Sequence, residues 1–360
     1  MRRTHSRTRQ AITRLSLAIV TVFTCHYSFA EIVVQQKSSS NANIAWSDAQ
    51  ASQFLSEDEP AAQVTTQVTT RTQPAQKSST IVLNNSTLAN KYPTSTSNYG
   101  NTSYSSYSSA QPDVNAKSAL VMDAQTGEVL YGKNTNTARP IASVTKLMTA
   151  VVIADARLDM SERITLQPID FAGAAGKNSS STLRAGDTLN RAEALLFALM
   201  KSENPAAAAL ARTYPGGKSA FVAAMNAKAR ELGMYSSQFA EATGLDPANR
   251  ASARDLGILV SAASQYGLIR QFSTTPHYDF NLGYRVLKSN NTNSLVRNGS
   301  WNINISKTGY INEAGRCVVM HTTVNQRPAI VVLLGASSTS ARNNDANNLL
   351  TWVSHLPKRI

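Results

Sequence analysis

The chain has 360 residues, a formal net charge of +13, 42% apolar residues, 7% aromatic residues and two cysteines. That length suits one large domain or two ordinary ones, and the basic balance suits an anionic polymer or lipid surface as a neighbour. No basic run interleaved with aromatics occurs, which excludes nucleic acid as the expected partner; no His-Glu-x-x-His or paired-cysteine pattern occurs, which excludes a zinc peptidase and leaves no metal site to expect.

Arg2, Arg3, Arg7, Arg9 and Arg14 precede the apolar run from Leu15 to Cys25, with no acid among them. Ser28-Phe29-Ala30 then sets small residues at the −3 and −1 positions of a cleavage site. Residues 1–30 read as a secretory signal peptide whose apolar part is too short for a comfortable membrane span. Export to the periplasm follows, and loss of the five arginines lowers the formal charge from +13 to +8. Cys25 leaves with the signal, so Cys317 has no intrachain partner; within the apolar run Arg316–Met320 it reads as a buried structural thiol. Residues 31–113 are rich in Ser, Thr, Asn and Gln, as in Ser103-Tyr104-Ser105-Ser106-Tyr107, and read as a disordered linker.

From Val114 the pattern becomes that of a folded domain, 114–360. Ser118–Met122 and Glu128–Tyr131 flank a turn and read as a hairpin. A helix follows from the region of Ser143 to about Arg157, then a mostly irregular stretch over 158–187. Helices are expected at Arg191–Met200, Pro205–Thr213, Lys218–Leu232 and Ala253–Tyr266, with Asn204 as a candidate N-cap and Pro205 at the first helical position. Strands return at Trp301–Thr308, Arg316–Thr323 and Ala329–Gly335, and a last helix runs Ala341–Leu356. This order predicts an α+β fold. An antiparallel sheet joins the first hairpin to the late strands, because two strands alone are marginal in water. The helical middle forms an inserted lobe, with a ligand cleft between the two.

Three short signatures fall on this frame. In Ser143-Val144-Thr145-Lys146 a serine and a lysine stand at i and i+3, on one face of a helical turn. A serine hydroxyl needs a neighbouring base to become a nucleophile, and a lysine whose pKa is lowered by burial can be that base. Lys146 is the only one of thirteen lysines with a serine three residues before it. On the fragment alone, an N-cap serine followed by a solvated lysine is the favoured reading. Ser202-Glu203-Asn204 follows 59 residues later between two helices, and Lys307-Thr308-Gly309 a further 105 residues on, at the end of a strand. Glu203, as the middle position, reads as a solvated turn residue. Arg254 and Asp255 read as charges in a first helical turn.

Ser-x-x-Lys, Ser-x-Asn and Lys-Thr-Gly in that order resemble the active-site set of penicillin-binding proteins and serine β-lactamases. The segment from Val114 to Leu356 resembles the low-molecular-mass serine D-Ala-D-Ala peptidases, and within them the penicillin-binding protein 7 type of D-alanyl-D-alanine endopeptidase. Arg139–Ser143, Leu199–Asn204, Thr243-Gly244-Leu245, Ser252–Leu256 and Trp301–Tyr310 carry that likeness. It implies a β-lactamase/transpeptidase-like fold and a cofactor-free hydrolase that cuts D-alanyl crosslinks in peptidoglycan muropeptides, with β-lactams as covalent inhibitors. It further implies Ser143 as nucleophile, Lys146 as base and Ser202 as proton relay. Asn204, Lys307, Thr308 and Gly309 would bind substrate, and the backbone N–H groups of Ser143 and Tyr310 would form the oxyanion hole. D-alanyl-D-alanine carboxypeptidase action, or a non-catalytic domain that senses β-lactams or binds the wall, remain alternatives. The stretch 158–187 carries no convincing deacylating glutamate, so a β-lactam acyl-enzyme is expected to persist. No amphipathic anchor follows Pro357, and no stable membrane anchor is expected.

Overall fold

The computed structural model describes residues 111–178 and 180–357. The signal peptide and nearly all of the linker assigned above lie outside the described residues.

The chain enters as a hairpin, β1 (Ser118–Asp123) and β2 (Val129–Lys133). It then passes through the short β3 (Arg139–Pro140) and a single 3₁₀ turn, Ala142–Val144, into helix α1 (Thr145–Asp155). A pair of three-residue strands, β4 (Arg163–Thr165) and β5 (Thr188–Asn190), brackets the irregular stretch. Helix α2 (Arg191–Leu196) widens into a π turn, Phe197–Lys201, before α3 (Asn204–Arg212) and α4 (Gly217–Glu231). The short β6 (Arg250–Ala251) pairs back to β3 and leads into α5 (Ala253–Ala263) and α6 (Gly267–Thr274). A polar hairpin, β7 (His277–Asn281) and β8 (Val286–Asn290), and the short α7 (Ser294–Asn298) follow. Three long strands close the sheet: β9 (Asn302–Ile311), β10 (Gly315–Val324) and β11 (Arg327–Ala336); α8 (Thr339–Ser354) ends the fold.

The main sheet is antiparallel in the order β2-β1-β11-β10-β9, so the first hairpin does join the late strands. Both faces are covered, and side-chain alternation along β11 divides the core. Ile330, Val332 and Leu334 face the larger cluster shared with the helical lobe, while Ala329, Val331 and Leu333 face α8 through Leu349, Leu350 and Val353. That explains the continuous apolar run of β11, where an alternating one was unnecessary. β9 is left at the edge, beside α6 and the turn that carries Ser143.

Helix α1 departs from the amphipathic pattern. Every residue from Thr145 to Ala154 is buried, so it is a core helix with apolar neighbours all round. Any polar group on it must find a partner inside the protein. Among the described residues no helix is long and apolar enough to cross a membrane.

Candidate active site

Lys146 is the second residue of α1 and is completely buried. Its Nζ lies 2.6 Å from Asn204 Oδ1, 2.6 Å from the Thr243 carbonyl and 2.9 Å from Ser143 Oγ. The first two are acceptors only. The third is a hydroxyl, able to donate or accept. A neutral amine, with two N–H groups and one lone pair, satisfies that set completely and leaves its lone pair facing Ser143. Burial lowers the Lys146 pKa from its ordinary 10.5 to about 7, against the opposing pull of Glu241 and Glu203. Near neutral pH the base form is therefore well populated.

Ser143 sits in the 3₁₀ turn, and no side chain caps the helix start. The N-cap alternative for this serine, and the solvated alternative for Lys146, are both overturned. Ala142, immediately before it, is held in the left-handed region at φ +49°, which costs a non-glycine residue roughly 1–2 kcal/mol. Neighbouring backbone holds that turn on two sides. A Cβ added to Gly244, at φ +83°, would fall 1.9 Å from the Ala142 carbonyl oxygen; one added to Gly309 would meet the Ile141 carbonyl at 2.9 Å and Ser143 N at 3.0 Å. Gly309 thus lacks a side chain because the nucleophile turn lies against it, a different reason from clearance for a substrate backbone along the strand edge.

Ser202 closes the π turn in the left-handed region, at φ +67°. Its hydroxyl accepts from Lys307 Nζ at 2.9 Å, and Lys307 also donates to the Thr308 carbonyl at 2.9 Å. Burial, Lys146 and Arg342 push the Lys307 ammonium well below its ordinary pKa. Asn204 is not the N-cap expected from sequence. Glu203 occupies that position, and Asn204, one residue inside, turns its amide oxygen to Lys146. The Thr308 hydroxyl donates to Thr292 Oγ1 at 2.7 Å. Tyr310 exposes its ring, with the Arg316 guanidinium 3.4 Å from the ring centroid. The signatures thus supply two hydrogen-bonded groups, Ser143–Lys146–Asn204 and Ser202–Lys307, with Gly309 packed against the first and Thr308 bonded to Thr292 instead.

The model of family S11, described as D-alanyl-D-alanine carboxypeptidase, matches residues 105–338. This chain belongs to peptidase family S11. Over 250 residues, 68% of this chain and 78% of the relative, it is 45% identical to a D-alanyl-D-alanine endopeptidase of Pseudomonas aeruginosa. Over 247 residues, 68% of this chain and 79% of the relative, it is 43% identical to a D-alanyl-D-alanine endopeptidase of Escherichia coli. Among solved structures, the DD-transpeptidase of Streptomyces strain K15 superposes with a TM-score of 0.62 at 29% identity, covering 68% of this chain and 98% of that one.

Around this S11 site, sequence reasoning missed two carboxylates. Glu203, read as a solvated turn residue, is buried: it accepts from Ser181 Oγ (2.5 Å), Thr182 Oγ1 (2.8 Å) and Thr182 N (3.3 Å), and Lys201 Nζ lies 3.4 Å away. It fastens the 158–187 stretch to the Ser-x-Asn turn. Glu241 gave no signal beyond its place two residues ahead of Thr243-Gly244-Leu245. Of the acids within 158–187, Asp170 pairs with Arg212, Asp187 with Arg285 and Glu162 with Arg191, while Asp159 accepts from Ser161. Cys317, the cross-strand neighbour of Gly309, is fully buried, and burial pushes its thiol up to about 11, as fits a structural residue. Among the described residues no cluster of His, Cys, Asp or Glu could hold a metal ion.

Proposed function

We propose that this S11 peptidase hydrolyses D-alanyl crosslinks of peptidoglycan as a D-alanyl-D-alanine endopeptidase, through an acyl-enzyme on Ser143. The observation that carries the reading is the Lys146 amine. It is buried, near neutral in pKa, and held by two acceptors so that its lone pair meets the Ser143 hydroxyl. Endopeptidase action leads over carboxypeptidase action because the relatives at 45% and 43% identity carry that name.

In the proposed sequence Lys146 takes the Ser143 proton as Oγ attacks the D-alanyl carbonyl carbon. The oxyanion forms between the backbone N–H groups of Ser143 and Tyr310; loss of one such donor typically costs about a hundredfold or more. The C–N bond breaks as Ser202, backed by Lys307, passes a proton to the leaving amine. Water then attacks the ester and restores Ser143. Asn204 holds Lys146 and takes part in holding a substrate amide. Lys307 and Thr308 steer the anionic or polar end, and an approaching anion draws Lys307 back towards its charged form. A β-lactam enters by the same attack and stays, because the acids of the 158–187 stretch are committed to other partners. The signal-like start of the chain supports a periplasmic setting.

The test separates products from purified protein and crosslinked muropeptide dimers. Monomers without free D-alanine are expected; free D-alanine without monomers would replace the endopeptidase reading by the carboxypeptidase one. Ser143→Ala should abolish both turnover and penicillin labelling. Labelled protein that releases no product at all would identify a binding domain instead.

A further inference from the structure

The loop from Ala240 to Asn249 touches the catalytic turn, its lead-in and helix α1 at four places. The Thr243 carbonyl accepts from Lys146, and the Ala242 carbonyl accepts from Thr149 Oγ1 of α1 at 2.8 Å. Gly244 lies against the Ala142 carbonyl, and the Asn249 carbonyl accepts from Ile141 N at 3.1 Å. Such an irregular loop has no ladder of its own to fix its carbonyls, so something else must orient them. That role falls to one carboxylate. Glu241 Oε2 accepts from Thr243 N at 2.5 Å. Oε1 accepts from Gly244 N at 2.6 Å, Asn249 Nδ2 at 2.5 Å and Asp246 N at 3.3 Å. Asn249 completes the node: its Oδ1 accepts from Ala240 N at 2.9 Å and Glu241 N at 3.3 Å.

We infer that Glu241 is a positioning residue of the reaction: by gathering four donors of its own loop it aims the Thr243 carbonyl at Lys146 and seats Gly244 beneath the Ser143 turn. Charge-assisted bonds of this kind are about twice as strong as neutral ones. An amide in its place would turn a donor towards donors. The negative charge also acts on Lys146 at a distance, favouring its ammonium form. Glu203 does the same from the Ser-x-Asn turn, and Lys307, whose own pKa is lowered by burial and by Lys146, is the cation that faces Lys146 from β9. On its outer side Glu241 lines a cavity of about 180 Å³ together with Lys218 of α4 and Asp170, the latter paired to Arg212; Asp246 is the other acid on its loop.

The inference rests on the reading of Lys146 as base to Ser143, and the experiment keeps the two apart. Acylation of the signal-free protein by a fluorescent penicillin is followed across pH 5.5–9 for wild type, Glu241→Gln and Glu241→Asp, with the far-UV circular dichroism of each. If wild type is not acylated at Ser143, the reading of the site fails. If it is, Glu241→Gln is expected to be at least ~10-fold slower at pH 8, with its acidic midpoint displaced downward because a charge favouring the ammonium is gone. Glu241→Asp keeps the charge but shortens the reach, so it should be slowed at an unmoved midpoint. A merely structural residue would slow both variants without displacing either midpoint, and that result overturns the inference. Wild-type rates in both variants overturn it equally. Should Glu241→Gln not fold, Glu241→Ala takes its place: slowing with the midpoint displaced downward supports the role, and an unmoved midpoint, or a wild-type rate in the aspartate variant, removes it.

Discussion

A lysine on a wholly buried helix is a costly residue unless its charge can be given up. At Lys146 the structure supplies two carbonyl-type acceptors and one hydroxyl, and burial brings the amine's pKa down to about 7. The sign of the pH effect follows directly. Below that value the amine is protonated and has no lone pair for the Ser143 proton; above it the base form dominates. The rate of Ser143 acylation is therefore expected to rise about tenfold per unit up to near pH 7 and then level off. Rapid-mixing measurements with a penicillin whose own charge does not change in that range would check it. A flat profile from pH 5.5 to 8.5 would remove Lys146 as the titrating base. Replacing it by alanine should cost about a hundredfold or more in acylation, the usual contribution of a positioned base.

At the scale of elements, the site is a turn pressed between two backbones. Ala142–Val144 is short, carries a left-handed alanine and has no capping side chain, so its shape is imposed by β9 on one side and the 240–249 loop on the other. Gly244 makes the tighter contact. Gly244→Ala combines a left-handed backbone, roughly 1–2 kcal/mol, with a methyl that would overlap the Ala142 carbonyl. Gly127 offers an internal standard, because it has a similar φ of +75° and nothing within 4 Å of an added Cβ. Gly127→Ala should lower stability by the conformational cost alone and leave acylation untouched. Gly244→Ala should lose clearly more stability in urea unfolding and slow Ser143 acylation sharply. Equal losses of stability, with acylation retained in both, would show that the turn is not held by this contact. The three signatures were legible in sequence because each is a local run of chemistry-bearing residues. The support for the turn was not, since Glu203 and Glu241 gain their meaning only when distant segments close around them. The hairpin β7–β8 was passed over as well: His277–Asn281 alternates polar and aromatic residues, but with Phe280 as the only buried apolar side chain of the pair the run is too short and too polar to stand out.

For the whole molecule, the sheet is assembled from both ends of the domain, with β1 between β2 and β11. The apolar hairpin at the front and the three strands expected at the back foretold this sheet, because two strands alone are marginal in water. What sequence did not foretell is how the two ends are fastened. The Arg327 guanidinium lies 3.3 Å from Asp123 Oδ2, both residues being nearly inaccessible, and donates to the Pro357 carbonyl at 2.8 Å. Asp123 Oδ1 meanwhile accepts from Gln125 N and Thr126 N, each at 3.0 Å, in the β1–β2 turn. One ion pair therefore joins the first hairpin, the start of β11 and the segment after α8. Removing Arg327 leaves the buried Asp123 carboxylate without its cation, and breaking such a pair typically costs about 3–5 kcal/mol. Arg327→Ala is expected to lose about that much in urea unfolding while acylating Ser143 at the wild-type rate per folded molecule, since the pair touches none of the catalytic side chains. Replacing both Arg327 and Asp123 by apolar residues of similar volume should recover much of the loss. If Arg327→Ala unfolds at the wild-type midpoint, the two ends of the sheet are held by apolar packing against α8 alone, and the ion pair is incidental.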